Sequence, residues 1–259
     1  NGTVRFNFNG FDTRMSMRSE SHANNAFHNL IIQMNGDTRT LSIDNGTDVK
    51  VDNDLTVSRG VLNAGSNHNL EVVGHVDVGT DSEVSNLKFT STSTKTATFG
   101  SLTIGADGIY EATSGTTTIN LNFRFEDGAN FTHNSGTVTF AGATDANLEM
   151  EGGHSGRKTP TNPLKFHNLT SAKTGNYLNL YVDFTVESTF TITTDSTYGV
   201  SVRQPVYLTM GTATAQGTIA GPSSGTDNLY FATEATTSKI LAANTDGLYP
   251  WIKTGNDWG

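Results

Sequence analysis

Ser135-Gly136-Thr137-Val138-Thr139-Phe140 is followed by Lys165-Phe166-His167-Asn168-Leu169 and then by Asp183-Phe184-Thr185-Val186. The same three phrases, in the same order, already occupy Asn1-Gly2-Thr3-Val4-Arg5-Phe6, Ala26-Phe27-His28-Asn29-Leu30 and Asp54-Leu55-Thr56-Val57. A long internal repeat of this kind points to a stacked architecture whose units bury one another. The separation between matching phrases drifts, so residues have been inserted between landmarks. A stack of coils absorbs insertions at any corner, whereas a sandwich must place them in inter-strand loops.

Outside the landmarks the chain alternates with period two over short runs: Leu70 and Val72, Val76 and Val78, Leu102 and Ile104, and Ile119, Leu121, Phe123 and Phe125. That period marks short strands with one buried face. Glycines such as Gly65, Gly74, Gly79, Gly100, Gly105 and Gly108 fall between the runs and suit a chain that turns repeatedly. Val49, Val51, Leu55 and Val57 share an inward parity with Asn53, which predicts an amide ladder from one layer to the next. No window reads as an amphipathic helix. The expected fold is an all-β, right-handed parallel β-solenoid (β-helix) with loop excursions, and tandem antiparallel β-sandwiches are the alternative. The repeat divides the chain into a first unit at 1–134, a second at 135–230 stacked on it, and a segment at 231–259 without landmarks that reads as a cap or docking piece. Segments 1–26 and 151–163, the least alternating parts of each copy, are expected to leave the stack as loops. Because the first copy begins at Asn1 without a lead-in, the stretch is expected to be a piece of a longer polypeptide.

Composition agrees with a thin core. Of 259 residues 34% are hydrophobic, 27 are glycine and only 16% are charged, so charge-driven disorder does not explain the polarity. There are no cysteines, which removes disulfides, thiolate zinc sites and cysteine nucleophiles. A net charge of −9 without a basic cluster argues against nucleic acid as a partner. Apolar runs such as Leu30-Ile31-Ile32 are too short to insert in a membrane as helices.

The runs Phe131 to Gly142, Phe166 to Thr170 and Asp183 to Ile192 resemble the Gly-Thr-Val-x-Phe-x-Gly, Phe-x-Asn-Leu, Asp-x-Thr-Val-x-Gly-x-Leu-x-Ile pattern of large repetitive surface proteins. Such β-solenoid repeats occur in prokaryotic exoproteins and in structural proteins of tailed phages. The resemblance covers most of the chain. It departs at Ser58-Arg59 and Glu187-Ser188, where the pattern prefers Thr or Gly. It implies a parallel β-helix with a structural role in a virion as tail fibre, spike or capsid decoration, extracellular and exposed at the virion or cell surface. Its partners would be other structural proteins or copies of itself, a homotrimer being the form known in similar fibres, or a host-surface glycan. A prokaryotic cell-surface adhesin or surface-layer component is the alternative from another class, and a polysaccharide-degrading tailspike is the enzymatic one.

Catalytic constellations are hard to find. No nucleophile elbow, phosphate loop or paired-histidine zinc helix is present, and a non-enzymatic role is expected. Asp52, Asp54, Asp77 and Asp81 could lend oxygens to calcium, but they match no complete calcium loop. His28 and His167 recur at equivalent positions, where a surface-facing side chain is the simple expectation. The polar, Gly-rich excursion carrying His154, Arg157 and Lys158 is where a solenoid places variation and binding. Tyr177 and Tyr181 offer aromatic faces that can stack on sugar rings. These five residues are the binding candidates.

Overall fold

The computed structural model describes residues 2–8, 12–16, 26–44, 48–79, 83–152, 154, 156–193, 199–221, 231–233, 239–242 and 251–253. Every regular element among them is a β-strand, and the named strands pair in parallel. The fold is a β-solenoid of stacked parallel coils. Antiparallel sandwiches are excluded by the direction of the ladders. Two compact units are present: Asn1–Ile119 with Glu126–Gly136, and Asn120–Phe125 with Thr137–Gly259.

In the first unit, Thr3–Phe6, Asn29–Gln33, Leu55–Gly65, Leu70–Val78 and Ala97–Ile104 follow one another up one face. Register carries apolar residues onto apolar residues: Leu30 lies over Leu55, Leu55 over Val76 and Val76 over Leu102. All four are completely buried. A second face stacks Leu41, Leu62, Leu87, Tyr110 and Phe131, and the rings of Tyr110 and Phe131 stack with centroids 5.8 Å apart. In the second unit Val138, Leu169, Phe190 and Ile219 form the equivalent column. Phe123, Phe166, Phe184 and Phe190 pack edge to face beside it at 5.9–6.3 Å. In a parallel stack each side chain meets its counterpart one coil on, so a repeated sequence buries itself without a thick core.

The landmark phrases turn out to encode corners. In Phe-His-Asn-Leu the ladder slips at His: Phe166 faces Val186 and Asn168 faces Thr189, leaving Glu187 and Ser188 opposite His167 alone. The asparagine carbonyl then accepts a backbone N–H from the next coil, Asn29 Oδ1 from Asp54 at 3.3 Å and Asn168 Oδ1 from Thr189 at 3.3 Å. Ser58 likewise sits where the register slips between Ile32 and Gln33, and its buried hydroxyl donates to the Ile32 carbonyl. The two departures from the surface-protein pattern therefore fall on bulges, where a strand residue is not required. His28 is exposed, as expected, whereas His167 is half-buried.

The expected amide ladder is present, with Asn53 Nδ2 donating to Asn29 Oδ1 at 2.8 Å across 24 residues of sequence. Asp48, Asn69 and Thr96 build a second rung series: Asn69 donates both N and Nδ2 to Asp48, and Asn69 Oδ1 accepts from Thr96 N. Gly79 is required by two constraints at once. Its φ of +74° is left-handed, and an added Cβ would lie 2.2 Å from the Gly108 backbone.

Three sequence expectations are corrected. Segment 1–26 does not simply leave the stack, because Thr3–Phe6 and Thr13–Ser16 pair in parallel with Asn29–Gln33 and Thr40–Asp44. Val4, Phe6 and Met15 supply enough alternation for short strands, and charge on the outward positions obscured it. Leu121 is 42% exposed, at the corner separating Thr116–Ile119 from Phe123–Phe125. One continuous period-two run is thus two strands and a turn. In segment 151–163 Pro160 is buried, so this excursion packs back onto its unit. Within 231–259, the described strands Phe231–Thr233, Lys239–Ala242 and Trp251–Lys253 pair in parallel with Val200–Val202, Tyr207–Met210 and Thr218–Ala220.

Candidate functional site

The second unit carries an open cleft of about 210 Å³ between the excursion at 151–163 and the strands Phe184–Ile192 and Tyr207–Met210. Proline residues shape its rim. Pro160 and Pro163 fix the local backbone without needing ladder partners, and Leu164 leads into the strand Lys165–Lys173. The remaining lining is Arg157, Thr159, Asp183, Phe184, Thr185, Tyr207 and Thr209.

Asp183 organises the site. Its Oδ2 accepts from Arg157 Nε at 2.7 Å, lies 2.6 Å from a second guanidinium nitrogen, and accepts from Thr159 Oγ1 at 2.6 Å. Its Oδ1 accepts the backbone N–H of Tyr207 at 2.7 Å. The Asp183 hydrogen bond raises the Arg157 pKa above its ordinary value, against a smaller opposing effect of burial, so the guanidinium stays charged. Arg157 also lies over the Tyr207 ring, its central carbon 3.5 Å from the ring centroid. A charge-assisted, forked pair of this kind fixes geometry more than it adds raw stability.

A second clamp holds the start of the excursion. His154 stacks on Tyr181 with centroids 3.8 Å apart and planes 14° from parallel, and its Nε2 meets Glu149 Oε2 at 2.9 Å. Lys158 closes the loop on itself, donating Nζ to the Gly152 carbonyl at 3.3 Å. Of the five binding candidates, His154, Arg157, Lys158 and Tyr181 are thus brought together by the excursion. Only Arg157 of the five lines the cleft itself; Tyr177 lies apart from the other four, its backbone N–H donating to Asp145 Oδ1 at 3.0 Å.

Sequence reasoning missed Asp183, Thr159, Thr185 and Thr209, and left Tyr207, one of the second-half tyrosines able to stack on a sugar, outside the binding candidates. The signal for Asp183 was in the repeat. It is the landmark aspartate of the second copy, and Asp54 of the first does the same corner work, its Oδ1 accepting the His75 N–H at 2.8 Å.

The calcium candidates are differently employed. Asp54 Oδ2 accepts from Asn53 Nδ2 at 3.0 Å. Asp77 pairs with His75 at 3.1 Å, and exposed Asp52 lies 3.6 Å from Lys50. Asp81 lies outside the described residues. Among the described residues these carboxylates do not converge with a third ligand.

No protein-family model matches the chain. No curated protein and no solved structure gives a significant match.

Proposed function

We propose that the chain is a non-enzymatic structural and adhesive β-solenoid module displayed on the outside of a virion, with the cleft beside Asp183 as its contact point for a host surface or a neighbouring structural protein. The observation that carries this reading is the commitment of the cleft's acid to structure. Asp183 is the one acidic residue in the lining, and its two oxygens accept from Arg157, Thr159 and Tyr207. Glycoside hydrolysis needs two carboxyl groups flanking the bond, with one free to give or take a proton. A carboxylate held by a guanidinium, a hydroxyl and an amide does neither. Corner ladders such as Asp48–Asn69–Thr96 support the same reading, since they spend polar side chains on joining coils.

The test is an inventory. Mass spectrometry of purified particles should recover peptides of this chain, whereas recovery from washed cells instead would replace the virion by a prokaryotic surface. Release of reducing ends from host polysaccharide by the purified chain would overturn the non-enzymatic reading.

A further inference from the structure

The cleft's chemistry selects among ligands. Its one acidic and one basic group neutralise each other at 2.6 Å, so it presents a fixed dipole and no net charge. Thr185 and Thr209 lie directly over one another on adjacent coils. Neither hydroxyl has a hydrogen-bond partner among the described residues. Coils stack at about 4.8 Å, a separation comparable to that of alternate hydroxyls around a six-membered sugar ring. Exposed Pro163 adds an apolar surface to the same lining, beside buried Pro160 and Leu164, whose carbonyl accepts the Thr185 N–H at 2.9 Å.

We propose that the cleft receives one uncharged pyranose ring of a neutral glycan, a ligand assignment that rests on the adhesive reading above. The ring's hydroxyls exchange hydrogen bonds with Thr185 and Thr209, and its C–H face lies on exposed Pro163. A carboxylated sugar gains nothing, because the Arg157 charge that would attract it is already balanced by Asp183. An aminosugar gains nothing from Asp183 for the same reason. The walls need no ordering on binding. Arg157 on Tyr207 and Arg157 and Thr159 on Asp183 pin the excursion to the strands lining the cleft, which removes a cost that mobile loops incur. A single small ring with few direct bonds corresponds to a Kd on the order of millimolar.

The experiment titrates the full chain with methyl glycosides of glucose, galactose and mannose, and with glucuronate and glucosamine, by saturation-transfer NMR. At least one neutral glycoside should bind, and both charged sugars should bind more weakly. Thr209→Val, which keeps shape and removes the hydroxyl, should weaken binding about fivefold, and the cleft-filling Thr209→Phe should abolish it. Should Thr209→Phe fail to fold, Thr185→Val provides the second measurement, with the same fivefold loss expected. Binding of charged sugars alone, binding untouched by both valine variants, or no neutral binding at tens of millimolar would each overturn the assignment. Recovery of the chain from particles in that case leaves the structural reading standing and removes the ligand only.

Discussion

Asp183 Oδ1 accepts the backbone N–H of Tyr207 from the next coil at 2.7 Å, and Asp54 Oδ1 accepts that of His75 at 2.8 Å. The duplicated aspartate is therefore a corner device that ties one coil to its successor, and in the second copy it also lines a cleft. Asp183→Ala removes acceptors for Tyr207, Thr159 and Arg157 together, whereas Asp54→Ala leaves no guanidinium without its partner. The expected loss for Asp183→Ala is about 2–3 kcal/mol, against roughly 1 kcal/mol for Asp54→Ala. Urea unfolding compares the two, and equal losses would contradict the added role of Asp183. Proteolytic nicking within 151–163 should rise in the Asp183 variant alone.

Gly79→Ala meets both a left-handed φ and the Gly108 backbone 2.2 Å from the new Cβ. Backbone cannot move aside as a side-chain tip can. A loss of about 2–4 kcal/mol is expected, measured as a fall in the denaturation midpoint. Gly156→Ala has a similar φ of +72° but open space around it. It should cost only about 1 kcal/mol.

Phe166 is completely buried between Phe123 and Phe184, with ring centroids 6.1 and 5.9 Å away. Phe166→Ala should destabilise by about 3–5 kcal/mol. Phe166→Leu, which keeps most of the volume, should cost less than half of that. Thermal unfolding of the two variants checks the ordering.

Lys173 has no exposed surface and donates Nζ to the carbonyls of Ala141 at 2.5 Å and Asn120 at 3.1 Å. Burial pushes its pKa below the ordinary lysine value of 10.5, and Asp145 offsets part of that. Between the depressed native value and 10.5 the unfolded chain holds more protons than the native one, so stability rises with pH through that window. Below it the contribution is absent, because both states are protonated and the native one buries the charge. Lys173→Met should lack the rise. The difference in unfolding free energy between wild type and variant, followed from neutral to alkaline pH, gives the slope. Tyr110, whose buried hydroxyl is pushed up, affects both proteins alike and cancels. A difference independent of pH would refute the assignment.

The stack itself was legible because a parallel solenoid places each residue against its counterpart one coil on. Leu30, Leu55, Val76 and Leu102 satisfy that rule in sequence as apolar positions of the same parity. Asn53 and Asn29 were legible in the same way, as an inward amide facing an amide. Leu121 was not, since period two continues across a corner when the turn happens to contain an apolar residue. The strands near the first landmark were hidden by the opposite effect, outward charges such as Arg5 and Arg14 masking short alternation.

Local sequence thus determined the strands, the corners and the fact of repetition, because alternation and glycine placement act over a few residues. Only the tertiary structure decided what the excursion does. Arg157 and Asp183 are 26 residues apart, and whether they meet depends on how much chain each coil consumes before returning to the same corner. That length varies from coil to coil, 21 residues between Asp54 and His75 and 32 between Asn147 and Asn179. Residues at the same height in the stack are therefore set by accumulated insertions, a global quantity that no local pattern carries.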